Sequence, residues 1–261
     1  IYPRLSAVAE AAWSLPIVKR WERFLGMLGA HQERWAAKGV KSSSAIYHVQ
    51  HEVVPNFGDL KVALSCISPE VEIRYTTDGS EPHANAWLYR RPWIIKESQT
   101  LKCAAYKDGK QMGQTLVLPI QMNGITGKNM LRSNAVERRL VNGVRGSLKS
   151  TDGEWASWTR NDSIALTFDV GSRKKISRVH QPEKIEIWLS DNDVHYSKAA
   201  EKRFNKEEIF CEGRLIKELD LQFEDVARYV RLIIKGVGKC PELHVRPGLE
   251  AQIYLDEVLI E

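Results

Sequence analysis

The sequence predicts a mainly β protein, with a short helical segment ahead of two successive β-sandwiches, and three observations carry that prediction. From about residue 46 onward, apolar and polar residues alternate in short runs, as in Val71, Ile73 and Tyr75. Turn residues separate these runs, among them Asp78-Gly79 and Asp108-Gly109. Only residues 5–38 keep a helical spacing, and nothing in the chain repeats at a fixed period.

The helical segment carries two apolar stripes. Leu5, Val8, Ala9 and Ala12 form one, and Trp21, Phe24, Leu25, Leu28 and Trp35 form the other at spacings of three, four and seven. Between them, Ser14-Leu15-Pro16 supplies a cap candidate and a proline suited to a helix start. Gly39 and Ser42-Ser43-Ser44 close the segment. Two helices cannot hide both stripes against each other, and the strands that follow need a core of their own. The missing partner surface is therefore expected on another part of a longer polypeptide.

Residues 46–122 hold "LKVALSCIS", "EVEIRYTT" and "TLKCAAYKDGK", which read as a small antiparallel sandwich of immunoglobulin-like size. Residues 123–261 hold "SIALTFDVG", "EKIEIWLS", "ARYVRLIIKG" and "AQIYLDEVLIE" between turns such as "NGVRG", "TDGEW" and "SDND". These predict a larger, jelly-roll-type sandwich.

Composition narrows the function. With 43% hydrophobic and 27% charged residues the chain has the make-up of a folded globular protein rather than a disordered one. A net charge of +5 is spread along the chain, with Arg173-Lys174-Lys175 as the single tight basic cluster, so no nucleic-acid partner is expected. The sequence shows no membrane span. Cys66, Cys103, Cys211 and Cys240 lack metal-ligand spacing and read as buried free thiols. His48 and His51 have no third ligand nearby in sequence.

No catalytic residues are assigned. The one Asp-Glu dipeptide, Asp256-Glu257, lies in an alternating run that sends the two side chains to opposite faces of a strand. G-x-S-x-G, Walker and H-E-x-x-H motifs are missing from the sequence. The aromatic residues are more suggestive. Trp155 and Trp158 fall in the loop-rich "STDGEWASWTRND", near Asn142, Arg145 and Asp152. An aromatic face with polar hydrogen-bonders suits a pyranose, which has an apolar side and a rim of hydroxyls. Packing is the competing reading, and at least one of these two rings is expected to be buried. Trp87 and Trp93, in "ANAWLYRRPWII", are expected in the core.

Three stretches resemble known families. "YPRLSAVAEAAWS", with Pro3, Arg4, Ala7, Glu10 and Trp13 in a Pro-Arg-x-x-Ala-x-x-Glu-x-x-Trp pattern, and the following "WERFLGMLGAHQERWAAKGV" are similar to the last barrel helix and trailing helix of family 20 glycoside hydrolases, the β-N-acetylhexosaminidases or chitobiases. "VEIRYTTDGSEPHANAWLYRRPWII" with "TLKCAAYKDGKQMG" resembles the immunoglobulin-like C-terminal domain of those enzymes. "LVNGVRGSLKSTDGEWASW", "IALTFDVG", "YVRLIIKGVGKCPELHVRPG" and "IYLDEVLIE" resemble the coagulation factor 5/8 type C, or discoidin-like, module, although the chain is shorter than the family pattern between "KKISRV" and "HQPEKIEIWLS".

The resemblance implies a domain order: residues 1–45 as a helical remnant of a (β/α)8 barrel, 46–122 as the immunoglobulin-like sandwich and 123–261 as the discoidin-like jelly roll. It implies an accessory region of a bacterial, periplasmic or extracellular β-N-acetylhexosaminidase whose partners are the upstream catalytic barrel and glycans of the N-acetylhexosamine or galactose type. Family 20 chemistry is substrate-assisted, with the acetamido oxygen attacking the anomeric carbon, and its acidic pair belongs to an earlier barrel strand. Asp256-Glu257 does not match that context, so this chain alone is expected to be inactive, and no cofactor for catalysis is expected. For the type C module the resemblance implies a carbohydrate-binding loop end with Arg145, Trp155, Trp158 and His244. It also implies a structural Ca²⁺ near Asn142 and Glu257, where an Asn in place of the family's usual Asp lowers the ligand charge. A spacer role without any ligand is the alternative.

Overall fold

The structure is a computed structural model that describes residues 2–128, 130, 131, 137–147, 152–159, 163–170, 176, 177, 183–205, 220, 221, 227–236, 238, 248, 249, 251–255 and 258–260. Arg173-Lys174-Lys175, Cys211, Cys240, His244, Asp256 and Glu257 lie outside the described residues, as does most of the stretch that is short against the type C pattern. The protein is mainly β-sandwich with two short helices, and it divides into two compact units. The first comprises residues 1–52, 63–93 and 99–118; the second comprises 53–62, 94–98 and 119–261.

Helix α1 spans Arg4–Trp13 and α2 spans Trp21–Ala37. Pro16 opens a separate 3-10 turn, Pro16–Val18, and α2 begins five residues later without a side-chain cap. The proline signal thus marks a helical start, though of a shorter element than the spacing predicts.

The two stripes meet different fates. In α2, Phe24 and Leu28 are buried, and the helix is tied to the rest of its unit by Lys107 Nζ, which donates at 3.0 Å to both Glu33 and Glu70. These two hydrogen bonds hold the Lys107 ammonium well above the usual lysine range. Helix α1 buries none of its residues, and Val8, Trp13 (90% exposed), Leu15 and Ile17 (82% exposed) face solvent. The α1 stripe is exposed, whereas the α2 stripe is covered in part within the first unit: Phe24 and Leu28 are buried, Leu25 and Trp35 half-buried, and Trp21 is exposed.

Strands β1 (Val49–Asn56), β2 (Asp59–Cys66), β3 (Glu72–Thr76), β4 (Trp87–Leu88), β5 (Trp93–Ile95), β6 (Gln99–Lys107) and β7 (Lys110–Ile120) form two sheets. Their orders are β1-β2-β5 and β4-β3-β6-β7. Asp108 (φ 50°) and Gly109 (φ 74°) make the two-residue connection from β6 to β7, where both central positions need positive φ. Leu101, Cys103, Ala104 and Ala105 of β6 are fully buried. Burial pushes the Cys103 thiol up to about 12, which leaves it an inert packing group. Cys66, half-buried, donates to Ile46 O at 3.3 Å.

The second unit adds β8 (Met130–Leu131), β9 (Ala156–Thr159), β10 (Ser163–Asp169), β11 (Ile176–Ser177), β12 (Lys184–Ser190), β13 (Ser197–Arg203), β14 (Asp220–Leu221), β15 (Tyr229–Lys235), β16 (Gln252–Leu255) and β17 (Leu259–Ile260). Its main sheet runs β13-β12-β15-β10-β8, and smaller sheets run β14-β11-β17 and β16-β9. Period-two alternation sends Ile164, Leu166 and Phe168 of β10 inward, where they share one core with Ile185, Ile187, Leu232, Ile234, Ile253 and Leu255. No helix among the described residues is long and apolar enough to cross a membrane.

Candidate functional site

The loop leading into β9 holds three of the predicted residues, and its geometry follows from short-range hydrogen bonds. Asp152 accepts from Ser147 N at 2.5 Å and from Glu154 N at 3.0 Å, so one carboxylate ties residues 147 and 154 together. Trp155 then turns inward. It is 6% exposed, its indole N–H donates to Ser147 O at 2.9 Å, and its ring meets Tyr254 edge-on with centroids 6.4 Å apart. A Cβ on Gly146 would stand 2.5 Å from two atoms of that indole, so the residue beside Arg145 has to be glycine for the ring to pack there.

Arg145 itself is exposed, and its guanidinium donates to Gln121 Oε1. Arg145 is thus an exposed cation next in sequence to the glycine that packs on the Trp155 ring. Trp158, in β9, sits opposite Ile253 in the antiparallel register of β9 and β16 and packs half-buried against the core. Of the four predicted sugar contacts, then, Arg145 and Trp155 share a loop, Trp158 lies further along its strand, and His244 is outside the described residues.

Asn142 is buried, with Oδ1 accepting from Val144 N at 2.9 Å and Nδ2 donating to Glu154 Oε2 at 2.8 Å. Both ends of its amide thus serve the loop. Among the described residues no group of three carboxylate, imidazole or thiol side chains is placed to hold a metal ion. Glu257, the second expected Ca²⁺ ligand, is not among the described residues.

Perturbed titrating groups elsewhere in this unit have structural causes. Glu186 is buried and accepts from Lys184 Nζ (2.6 Å), Trp188 Nε1 (3.0 Å) and Lys198 Nζ (3.0 Å), which brings its carboxyl down to about 2. So low a value fixes it as an anion, unsuited to donating a proton near neutrality. Burial, followed by a hydrogen bond to Asp193, pushes the Tyr196 hydroxyl up to about 12, while the Arg231 guanidinium lies 3.6 Å above its ring centre.

A second aromatic group lies in the first unit, and it departs from expectation. Trp87 is 65% exposed rather than part of the core. It sits on the two-residue strand β4 directly opposite Tyr75 of β3, and the two rings meet edge-on at 5.7 Å. Trp93, half-buried, stacks on Tyr75 at 4.8 Å, and Tyr89 tilts against Trp93 at 5.8 Å. Core packing is thus met in part by Trp93 and fails for Trp87, because β4 is an edge strand with β3 on one side only. The sequence signal that could have shown this is "ANAWLYRRP", where polar residues on both sides leave a run too short for a covered strand.

The comparisons with known proteins give the following. Residues 62–119 match the Fn3-associated family. A search of the curated proteins finds no match. Among solved structures, the chain is similar to the C-terminal domain of a chitobiase from Bacteroides fragilis, at 14% identity and TM-score 0.29, over 47% of this chain and 77% of that one. It is also similar to CpGH89CBM32-6 of Clostridium perfringens, at 17% identity and TM-score 0.29, over 51% of this chain and 91% of that one. A third similarity is to CpGH89CBM32-5 of the same organism, solved in complex with GalNAc-β-1,3-galactose, at 16% identity and TM-score 0.27, over 41% of this chain and 73% of that one.

Proposed function

We propose that this chain is the accessory region of a bacterial, secreted or periplasmic family 20 β-N-acetylhexosaminidase, and that its second sandwich holds glycan at the loop end around Arg145. The carrying observation is the loop itself. Arg145 is exposed, and the residues that follow it are held by the Gly146 approach to the Trp155 ring, the indole bond to Ser147 O and the Asp152 hydrogen bonds. A cation held by a rigid support can hydrogen-bond sugar hydroxyls with little ordering cost. The exposed apolar residues of α1 support the accessory role, since Leu5, Val8 and Trp13 offer a surface that a catalytic barrel would cover.

Calorimetric titration with galactose, N-acetylglucosamine and chitobiose tests the binding role. At least one sugar should bind, and Arg145→Ala should weaken it about tenfold, the worth of one hydrogen bond to a charged group. The chain alone should not release the aryl group from an aryl N-acetylglucosaminide. A spacer reading draws on the burial of Trp155; binding that is unchanged in Arg145→Ala, or flat titrations with every sugar, would favour it.

A further inference from the structure

The exposed indole of Trp87 is held as a binding group is held. The segment before it is fixed by its own hydrogen bonds: Asp78 accepts from Ser80 N (3.0 Å) and Oγ (2.6 Å), and Thr76 Oγ1 donates to Ser80 O (2.6 Å). Tyr106 Oη donates to Pro82 O (2.6 Å), and Ala86 N donates to His83 O (2.8 Å). Arg74 Nη1 then clamps Ala86 O at 3.1 Å, one residue before Trp87, and Tyr89 N donates to Ile73 O at 2.9 Å, two residues after it. The backbone on both sides of Trp87 is thereby fixed, and its ring meets Tyr75, on which Trp93 stacks in turn.

A large apolar ring held in water on a firm mount leaves the gain from burying it available to a ligand. A protein partner is a poor fit for the area. Tyr75, Tyr89 and Trp93 are half-buried, so the open surface is mainly one indole, on the order of 150 Å², against about 800 Å² per partner in a standard protein interface. One flat ring does match one pyranose, whose axial C–H bonds meet the π-face. Asn85, Arg90 and Arg91, two to four residues from Trp87 in sequence, are exposed polar groups.

We propose that Trp87, backed by Tyr75 and Trp93, is a stacking platform for a hexopyranose ring of a glycan, with Asn85, Arg90 and Arg91 as hydrogen-bonding rim. This site lies in the first unit and is independent of the loop around Arg145. It makes the first sandwich a ligand-binding domain in its own right.

The test is calorimetric titration of the full chain with chitohexaose, cellohexaose and lactose, repeated with Trp87→Ala, Trp87→Tyr and Arg145→Ala. Binding of at least one sugar should fall tenfold or more in Trp87→Ala, stay within about threefold in Trp87→Tyr, and survive Arg145→Ala in part. Unchanged circular dichroism in Trp87→Ala establishes that the loss is local. Binding that is the same in Trp87→Ala and the parent overturns the platform, and loss confined to Arg145→Ala does so while sustaining the loop-end site. No response to any of the three sugars at 10 mM overturns it as well.

Discussion

Trp87 and Trp155 carry the same side chain and stand on opposite terms with water, 65% exposed against 6%. Trp87 belongs to a strand, where packing is the ordinary fate, and Trp155 follows a loop, where ligand contact is the ordinary suspicion. The difference comes from the neighbours. Trp155 finds a glycine to pack against and a carbonyl, Ser147 O, for its N–H, and is buried. Trp87 sits on an edge strand that pairs, among the described residues, with β3 alone, and Tyr75 and Trp93 are half-buried. Local class therefore says less about an aromatic ring than the presence of a partner for its face and its N–H.

That contrast can be broken by substitution. Trp155→Ala should destabilise the second unit by about 3–5 kcal/mol, the usual cost of emptying a buried aromatic site, visible as a lowered thermal midpoint. If it melted with the parent, Trp155 would have to be a surface ring after all. Gly146→Ala pushes a methyl into the same indole and should cost about 1–3 kcal/mol by overpacking, measured by urea denaturation. An unchanged midpoint would mean that the loop yields freely.

Acid sharpens the comparison through Glu186 of the second unit. The Glu186 carboxyl is depressed from 4.5 to about 2 in the folded protein. Its contribution to stability is therefore complete above about pH 4.5 and is lost as pH falls from there through about 2. Glu186→Gln should remove that part of the acid dependence and cost about 1–2 kcal/mol at neutral pH, read from unfolding curves at pH 7, 4 and 3. A variant that kept the parent's full acid dependence would place its origin elsewhere. The smallest stability effect belongs to Trp87→Ala, within about 0.5 kcal/mol, even though its effect on sugar binding is the largest of the set. A large loss of stability there would make the ring structural.

Much of the fold was legible because alternation reports which residues share a face. Ile164, Leu166 and Phe168 point inward as their spacing dictates, and Asp108-Gly109 turns the chain where two positive-φ positions are needed. Burial of α2 was not legible, since the Lys107 tie to Glu33 and Glu70 joins residues far apart in sequence. The same holds for the site. "TDGEW" marks a loop, but only the approach of Gly146 to the indole decides that Trp155 faces inward. Glu186 breaks the simple pattern of β12 for a similar reason, because three donors from residues 184, 188 and 198 let a carboxylate be buried.

The most direct measurement is fluorine NMR of the chain labelled with 5-fluorotryptophan, which reports each of its eight tryptophans separately as chitohexaose or cellohexaose is added. Assignment comes from Trp87→Tyr and Trp155→Phe. The account predicts that the Trp87 resonance shows a full solvent isotope effect and moves on addition of sugar, while the Trp155 resonance shows neither. A Trp155 resonance that moves with sugar beside a Trp87 resonance that stays still would contradict it.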